Sequence, residues 1–167
     1  MKKTGLFITF EGIEGCGKTT QLNLLSGYLK KNGFDVIMTR EPGGTKIGEK
    51  IRAILLNPDN KRMAMEAELL LYGASRMQHV KELIEPAIKA GKIVLCDRYA
   101  DYRKGGNDRI EKEKIAFHKR VRKGYLSLAK SDKKRIRIIK ADRGIDEIHK
   151  EIKDIIIKKL RRLNYDI

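Results

Sequence analysis

Apolar and polar residues alternate along the chain in blocks that predict strands and helices in turn. Four short apolar runs are interpreted as strands: residues 6–10, 35–39, 93–97 and 135–139. Five segments with apolar residues at helical spacing are predicted as helices: about 18–31, 46–57, 63–90, 108–129 and 145–160. Strand, helix and strand in succession indicate a parallel sheet with right-handed crossovers. The pattern therefore predicts one α/β domain over residues 1–167, in which Pro86 kinks or divides the third helix.

A glycine-rich stretch between the first strand and the first helix fits the phosphate-binding pattern G-x-x-x-x-G-K-[ST]. Because Gly12, Gly15 and Gly17 lack side chains, their backbone N–H groups can point towards a phosphate, as does the positive end of the following helix. Lys18 can reach the β- and γ-phosphates of a nucleotide, and the Thr19 hydroxyl can ligate Mg²⁺. The alternative is a glycine-rich turn with a surface lysine, but the flanking strand and helix favour the phosphate site.

Polar residues follow two further strands at their carboxyl ends, where ligands bind in parallel sheets. Arg40 opens a Pro-Gly loop after the second strand and could hold a second phosphate. Asp97 ends the third strand and can hold Mg²⁺ through water, while Arg98 can grip a phosphate with two hydrogen bonds. The alternatives are a surface arginine in an ordinary turn and a structural ion pair at a strand end.

Composition narrows the classes of function. The chain has 167 residues, 41% of them hydrophobic, with neither a signal peptide nor an apolar run long enough to span a membrane, so we expect a cytoplasmic protein without membrane contact. Its two cysteines form no C-x-x-C pair, which favours free thiols over a zinc site. The net charge of +16 is concentrated after residue 97. We interpret it as a lysine-rich surface around a site for anionic nucleotides, and expect no nucleic-acid partner.

Five stretches together resemble the thymidylate kinase family, whose members phosphorylate dTMP with ATP. In family order they are 10–20 (FEGIEGCGKTT), 39–45 (TREPGGT), 68–76 (ELLLYGASR), 97–101 (DRYAD) and 108–111 (DRIE). They extend over nearly the whole chain. The resemblance implies a three-layer P-loop fold with a parallel sheet, in which the family has five strands and this sequence shows four.

The resemblance also implies roles for individual side chains on the dTMP side. Tyr72 falls where the family stacks an aromatic ring on thymine, and Arg76 falls where it contacts the base and helps to fix the monophosphate. Positions i and i+4 share one helix face, which agrees with this pairing. Arg40 and Arg98 match arginines on the acceptor phosphate, and Glu14 matches a carboxylate near that phosphate and the sugar. A core aromatic is the alternative for Tyr72.

On the ATP side, the resemblance implies ATP and Mg²⁺ as cofactors, with Thr19 and Asp97 at the metal. The implied nucleotide-binding residues are those of the glycine-rich stretch and its first helical turn: Gly12, Ile13, Glu14, Gly15, Cys16, Gly17, Lys18, Thr19 and Thr20. A lid around 102–111 would carry a catalytic arginine, Arg103 or Arg109, because Gly15 stands where the other subtype has a basic residue. Many family members have a dimer surface, so the resemblance also implies a homodimer as a possible assembly.

One departure from the family is large. After the Asp-Arg-Tyr stretch the family has a further segment with two helices and a strand, and this chain runs almost at once into the lid. We expect that the polypeptide contains this segment and that Cα atoms near 101–103 are separated by far more than the ~3.8 Å of a trans peptide. The alternatives are a strand supplied by another chain, and a four-stranded variant in which Ile136 and Ile138 pair directly with Ile8.

The expected reaction is transfer of the γ-phosphate of ATP to dTMP, with Lys18, Glu14, Arg98 and the lid arginines as catalytic residues. The partners are then small nucleotides. Two alternatives are a kinase for another nucleoside monophosphate, and a truncated module that binds nucleotide without turnover.

Overall fold

The structure, a computed structural model, describes residues 4–13, 15–99 and 115–165, without the side chains of 115–118 and 120. Its elements follow in chain order: β1 (Leu6–Phe10), α1 (Lys18–Lys31), β2 (Val36–Arg40), α2 (Lys46–Leu56), α3 (Met65–His79), a π-helical turn (Val80–Ile84), α4 (Glu85–Lys89), β3 (Ile93–Asp97), α5 (Ile115–Ser131) and α6 (Ile145–Arg162). No helix of the described ranges is long and apolar enough to cross a membrane.

The sheet is parallel, with β3 between β1 and β2. Ile8 and Met38 both lie opposite Leu95, so the three strands are in register. Phe10, Arg40 and Asp97 therefore end the strands at one edge. This confirms the predicted α/β class, and it places the loops that follow β1, β2 and β3 side by side.

Helices cover both faces of the sheet because β3 is apolar on both sides. On one face, Leu95 packs in a cluster with Leu25 of α1 and Leu160 of α6, all of them fully buried. On the other face, Val94 packs against Ile84 and Ala87. The alternation of side chains along a strand sends successive residues of β3 into these two clusters. The result is the predicted three-layer arrangement, with α1 held firmly beneath the loop that follows β1.

The long helix predicted over 63–90 is divided, as the proline suggested. α3 ends at His79, a π-helical turn follows, and Pro86 lies in the first turn of α4. Proline fits there because its missing N–H has no partner in a first helical turn. The predicted start of the next helix at 108 lies outside the described residues, and α5 is described from residue 115.

The fourth strand predicted over 135–139 is wrong. In the part of the chain that the structure describes, β1 pairs only with β3, and residues 136–140 form no ladder. The backbone N–H groups of Arg135 and Ile136 instead turn back to Asp132, after the end of α5. Ile139 still packs on the core, while Ile138 is 58% exposed. An apolar run forms a strand only beside a neighbour that takes its hydrogen bonds.

The pairing of Ile136 and Ile138 with Ile8, which a four-stranded variant would require, is therefore not formed. The expected separation of Cα atoms near 101–103 lies outside the described residues, so that expectation stays a prediction. Cys16 and Cys96 are both free thiols, as expected.

Candidate active site

The phosphate loop, residues 11–17, connects β1 with α1. Its backbone turns through left-handed conformations at Gly15 (φ 71°) and Gly17 (φ 83°), which glycine adopts readily. Gly17 is the N-cap of α1, and no side chain of the described residues caps that helix end. The first N–H groups of α1 therefore face the loop, as an anion site at a helix N-terminus requires.

Lys18 folds back over this loop. Its side chain is buried, and Nζ donates a hydrogen bond to the carbonyl of Ile13 at 2.7 Å and lies 3.8 Å from the Sγ of Cys16. A buried ammonium is stable only with such partners, because burial removes it from water. The positive charge is consequently held inside the loop, beside the helix N-terminus.

Thr19 and Asp97 are brought together from positions 78 residues apart. Thr19 Oγ1 donates to Asp97 Oδ2 at 2.6 Å. The other carboxylate oxygen, Oδ1, is buried and accepts no hydrogen bond from the described residues. A hydroxyl and a carboxylate are oxygen ligands of the kind that Mg²⁺ prefers, and the buried Oδ1 has capacity to bind a cation or its water. The predicted metal pair thus fits the ion.

The β2–α2 loop, residues 41–45, forms hydrogen bonds with side chains of α2 and α3. Three contacts hold its backbone: the N–H of Gly43 donates to Ser75 Oγ, the N–H of Gly44 donates to Glu49 Oε1, and Arg52 donates to the carbonyl of Pro42. Thr45 at the end of the loop caps α2 by accepting from the Gly48 N–H. The peptide bond before Pro42 is cis. The three backbone contacts and the cap give this loop a fixed shape beside the phosphate loop.

Three arginines gather next to these loops. Arg40 pairs with Glu49 at 3.0 Å and is half exposed, and Arg98 is mostly buried after β3. Burial and the positive charges of Arg40 and Arg98 lower the pKa of Arg52, so the three guanidinium groups lie in one region. Burial is the largest single influence on Glu49 and raises its pKa, but the hydrogen bonds from Arg40 and Gly44 and the charges of Arg40 and Arg52 together lower that pKa below its usual value. Clustered guanidinium groups are a typical site for a phosphate.

Arg98 adopts an uncommon backbone conformation. Its φ of 69° lies in the left-handed region, which costs free energy for any residue with a side chain. The N–H of Arg98 donates to the carbonyl of Phe10, and its own carbonyl accepts from the Cys96 thiol at 2.9 Å. Burial raises the pKa of that thiol, so it stays protonated and can donate. These contacts hold the turn that directs Arg98 towards the strand ends.

Tyr72 and Arg76 occupy neighbouring turns of α3, as predicted. Both are partly buried, and Tyr72 lies close enough to Arg52 to raise the pKa of that guanidinium. Arg76 donates through Nε to Glu41 at 2.8 Å and through Nη2 to the carbonyl of Tyr99. Its guanidinium carbon also lies 4.8 Å from the centre of the Tyr99 ring. α3 thus presents an aromatic and a positive group beside the arginine cluster.

Four residues of this site were not among the sequence candidates: Glu11, Glu41, Arg52 and His79. Glu11 accepts from the N–H of Tyr99 at 2.9 Å and fixes the chain after β3. Spacing could have indicated two of the others, because Arg52 lies one turn from Glu49 on α2 and His79 lies one turn from Arg76 on α3. No local pattern distinguishes Glu41 from an ordinary loop carboxylate.

Some candidates are not placed beside this cluster. Glu14, Arg103, Arg109 and the whole of the lid over 102–111 lie outside the described residues. Thr20 is exposed in the first turn of α1. The described ranges contain no group of three or more His, Cys, Asp or Glu side chains that could hold a metal ion.

Comparison with known proteins agrees with this arrangement. The family model described as thymidylate kinase matches residues 10–103 and 100–152. The thymidylate kinase of Exiguobacterium sibiricum is 40% identical, over 96% of this chain and 100% of its own length. That of Halothermothrix orenii is 43% identical, over 89% and 94%. The crystal structure of thymidylate kinase from Ehrlichia chaffeensis superimposes with a TM-score of 0.76 at 32% identity, and covers 92% of this chain and 98% of that one.

The same comparisons locate a segment that this chain lacks. The alignment with the Exiguobacterium protein extends over 211 positions but includes only 96% of the 167 residues of this chain, so many aligned positions have no counterpart here. The two stretches that match the family model meet at 100–103, directly after the Asp97–Tyr99 turn. The place where the sequence departs from the family is therefore the junction of these two stretches, and the expectation that the polypeptide contains the segment stays a prediction. The two stretches match the family model in family order on either side of this junction. Because they extend over most of its length, the chain belongs to the thymidylate kinase family.

Proposed function

We propose that this chain transfers the γ-phosphate of ATP to dTMP and forms ADP and dTDP, a step of dTTP biosynthesis. One observation carries the proposal: a phosphate loop with a buried lysine, a Thr–Asp pair suited to Mg²⁺, and a group of arginines all meet at the carboxyl edge of one parallel sheet. Such an edge is where open α/β folds bind their ligands. Two anion sites side by side fit a reaction between two nucleotides.

ATP occupies the phosphate loop in this proposal, with Gly12, Ile13, Glu14, Gly15, Cys16, Gly17 and Thr20 around its phosphates. Lys18 would exchange its bond with the Ile13 carbonyl for one with a phosphate oxygen, which is a stronger acceptor because it is charged. Thr19 and Asp97 would hold Mg²⁺, which neutralises charge on the β- and γ-phosphate oxygens when it is bound.

dTMP occupies the arginine side. Arg40, Arg52 and Arg98 would bind its phosphate, because Arg40 and Arg98 lie close enough to Arg52 to lower its pKa. Tyr72 would stack on thymine, and Arg76 would contact the base and help to fix the phosphate. We infer the roles of Tyr72 and Arg76 from the family resemblance and from their common position on α3 beside the arginines.

The proposed transfer is an in-line displacement. A phosphate oxygen of dTMP forms a bond with the γ-phosphorus of ATP while the bond between that phosphorus and the bridging oxygen breaks, and ADP leaves. Catalysis would consist mainly of positioning and charge neutralisation by Lys18 and Arg98. Glu14 and the lid arginines Arg103 and Arg109 complete the proposed catalytic set on the resemblance alone.

A second candidate is a module that binds nucleotide without turnover, and the segment that this chain lacks favours it. A coupled assay for ADP formation with dTMP, dUMP, CMP, AMP and GMP separates the possibilities, after mass spectrometry has established that the assayed chain is the 19.2 kDa polypeptide. ADP formed fastest with dTMP supports the proposal, and a different preferred acceptor replaces it with another monophosphate kinase. ATP binding without ADP formation supports the binding module. A cytoplasmic location and a homodimer stay predictions.

A further inference from the structure

A buried chain of hydrogen bonds connects β2 with α3 behind the arginine cluster. Nδ1 of His79 lies 3.0 Å from Oε1 of Glu41, and Nε2 lies 2.7 Å from Oγ1 of Thr39. The second oxygen of Glu41 accepts from Nε of Arg76 at 2.8 Å. Arg76 and His79 are three residues apart on α3, so their side chains lie on one face of the helix and contact both carboxylate oxygens of Glu41.

The hydrogen-bonded side chains of His79 and Glu41 are buried, so each needs its partners. The side chain of His79 is 0% exposed and that of Glu41 is 6% exposed. An imidazole protonated at Nδ1 donates to Glu41 and accepts from the Thr39 hydroxyl, so both ring nitrogens are satisfied. A buried carboxylate that lost one of its two partners would be strongly destabilised. Glu41 therefore cannot move without displacing His79 or Arg76.

The backbone of the β2–α2 loop closes over the imidazole. A Cβ added at Gly44 would lie 2.6 Å from Nε2 of His79 and 2.5 Å from Oγ1 of Thr39. The backbone of Gly44 is therefore packed directly against the imidazole, with no space for a side chain between them. The orientation of the imidazole is consequently fixed from three sides: by β2, by α3 and by the loop.

Arg76 is the member of this chain that reaches solvent, with 34% of its side chain exposed. The contact with Glu41, the hydrogen bond to the Tyr99 carbonyl and the stacking on the Tyr99 ring set the plane of its guanidinium. We propose that His79 is a positioning residue for the acceptor nucleotide: it holds Glu41 so that Glu41 fixes Arg76 in the orientation that binds dTMP. This role rests on the proposed function, because it assigns Arg76 to dTMP.

Two substitutions of His79 by residues of similar size distinguish its contact with Glu41 from its contact with Thr39. In His79→Asn the amide nitrogen falls near the position of Nδ1 and can still donate to Glu41, whereas in His79→Gln it falls near Nε2 and serves only Thr39. We expect His79→Gln to raise the KM for dTMP roughly tenfold, the usual range for a lost hydrogen bond to a charged group, and to change the KM for ATP by less than about twofold. His79→Asn should restore most of the affinity for dTMP.

A second readout does not depend on turnover. The Nε–H signal of Arg76 in ¹⁵N-arginine-labelled protein, assigned by its loss in Arg76→Lys, should exchange slowly in the wild type and in His79→Asn. It should exchange faster in His79→Gln. His149→Gln, on α6, is the matched control and should change neither readout. If the wild type does not bind dTMP, the proposed function fails, and this signal alone decides the role of His79.

The proposal is overturned if His79→Gln lowers the melting temperature but leaves the Arg76 signal and the KM for dTMP unchanged, because that is the behaviour of a purely structural histidine. Equal losses in His79→Asn and His79→Gln also overturn it. Should His79→Gln not fold, His79→Leu takes its place, since an apolar side chain of similar size cannot donate to Glu41. Faster exchange of Arg76 Nε–H in that variant supports the proposal, and unchanged exchange refutes it.

Discussion

The phosphate loop and the β2–α2 loop lie side by side, yet their glycines are packed very differently. A Cβ added at Gly15 or Gly17 meets no atom of the described residues within 4 Å. A Cβ added at Gly44 would lie 2.5 Å from the Thr39 hydroxyl, and one added at Gly43 would lie equally close to Glu49. The first loop thus has open space at Gly15 and Gly17, although a Cβ at Gly12 would lie 3.0 Å from the Sγ of Cys16, and the second loop is filled by side chains of this chain.

The difference indicates a division of tasks between the two loops. The β2–α2 loop is preorganised, because its backbone already has partners in Ser75, Glu49 and Arg52. Preorganisation lowers the entropic cost of binding, which suits an acceptor that must be placed accurately for transfer. The phosphate loop keeps its N–H groups and Lys18 directed inward, which suits a ligand that brings its own charge. Substitutions should therefore affect catalysis at the first loop and folding at the second.

The largest effect is expected for Lys18→Ala. Removal of a positive group from the transferred phosphate should lower kcat about 10²–10³-fold, the range observed when one stabilising donor is deleted from an active site. The free energy of unfolding should hardly change, because the lysine's partners in the structure are the Ile13 carbonyl and the Cys16 thiol. ADP formation with dTMP and thermal unfolding measure the two quantities.

Lys30→Ala is the matched control for that measurement, since Lys30 lies in the last turn of the same helix. It should leave kcat unchanged. Unchanged turnover in Lys18→Ala would remove the phosphate-loop assignment, and a large loss of stability would show that the lysine serves the fold instead.

The second effect in size is expected for Gly44→Ala. The φ of 80° at this position costs about 1–2 kcal/mol for any residue with a side chain, and overpacking against Thr39 and His79 adds about 1–3 kcal/mol. Urea unfolding should therefore show a loss of about 3 kcal/mol in the free energy of unfolding. The KM for dTMP should rise more than the KM for ATP. A variant as stable as the wild type would mean that the loop is not packed on His79.

These two loops also show what the sequence could and could not predict. The phosphate loop was predicted closely, because its glycines, Lys18 and Thr19 form one contiguous pattern whose geometry is local. The strands β1 and β3 were predicted with their observed bounds for the same reason, since continuous apolar runs specify buried strands. Arg40, Asp97 and Arg98 were placed at the ligand edge by the parallel order of the sheet.

Features that depend on contacts distant in sequence were missed. His79 acquires its role from Thr39 and Glu41, about 40 residues away in the chain, and spacing alone does not reveal such a network. The predicted strand at 135–139 failed because its pattern describes the segment and not the neighbour that a ladder requires. The chain also lacks residues that its relatives carry directly after the Asp97–Tyr99 turn.

Tyr72→Ala tests the acceptor side with a smaller effect. Loss of stacking on a base typically costs about 1–3 kcal/mol, so the affinity for dTMP should fall by roughly five- to 150-fold while the affinity for ATP stays constant. Tyr72→Phe keeps the ring and is the matched control, with dTMP affinity close to that of the wild type. Calorimetric titrations of both nucleotides provide the measurement. Loss of ATP binding with dTMP binding intact would mean that the two subsites are assigned the wrong way round.

The smallest effects come from the same added methyl group at two open positions. At Gly15 the methyl meets no atom, so only the left-handed φ of 71° opposes alanine, and we expect a loss of about 1 kcal/mol in the free energy of unfolding. At Gly27, in the middle of α1, the methyl also meets no atom and the backbone is helical, so alanine should increase the free energy of unfolding by about 0.5–1 kcal/mol.

Compared with Gly44→Ala, the Gly15→Ala and Gly27→Ala variants distinguish the cost of backbone strain from the cost of overpacking. If Gly15→Ala destabilised the chain as much as Gly44→Ala, the open space in the phosphate loop would not distinguish the two loops. If Gly27→Ala destabilised it, the space beside α1 would be filled by residues outside the described ranges.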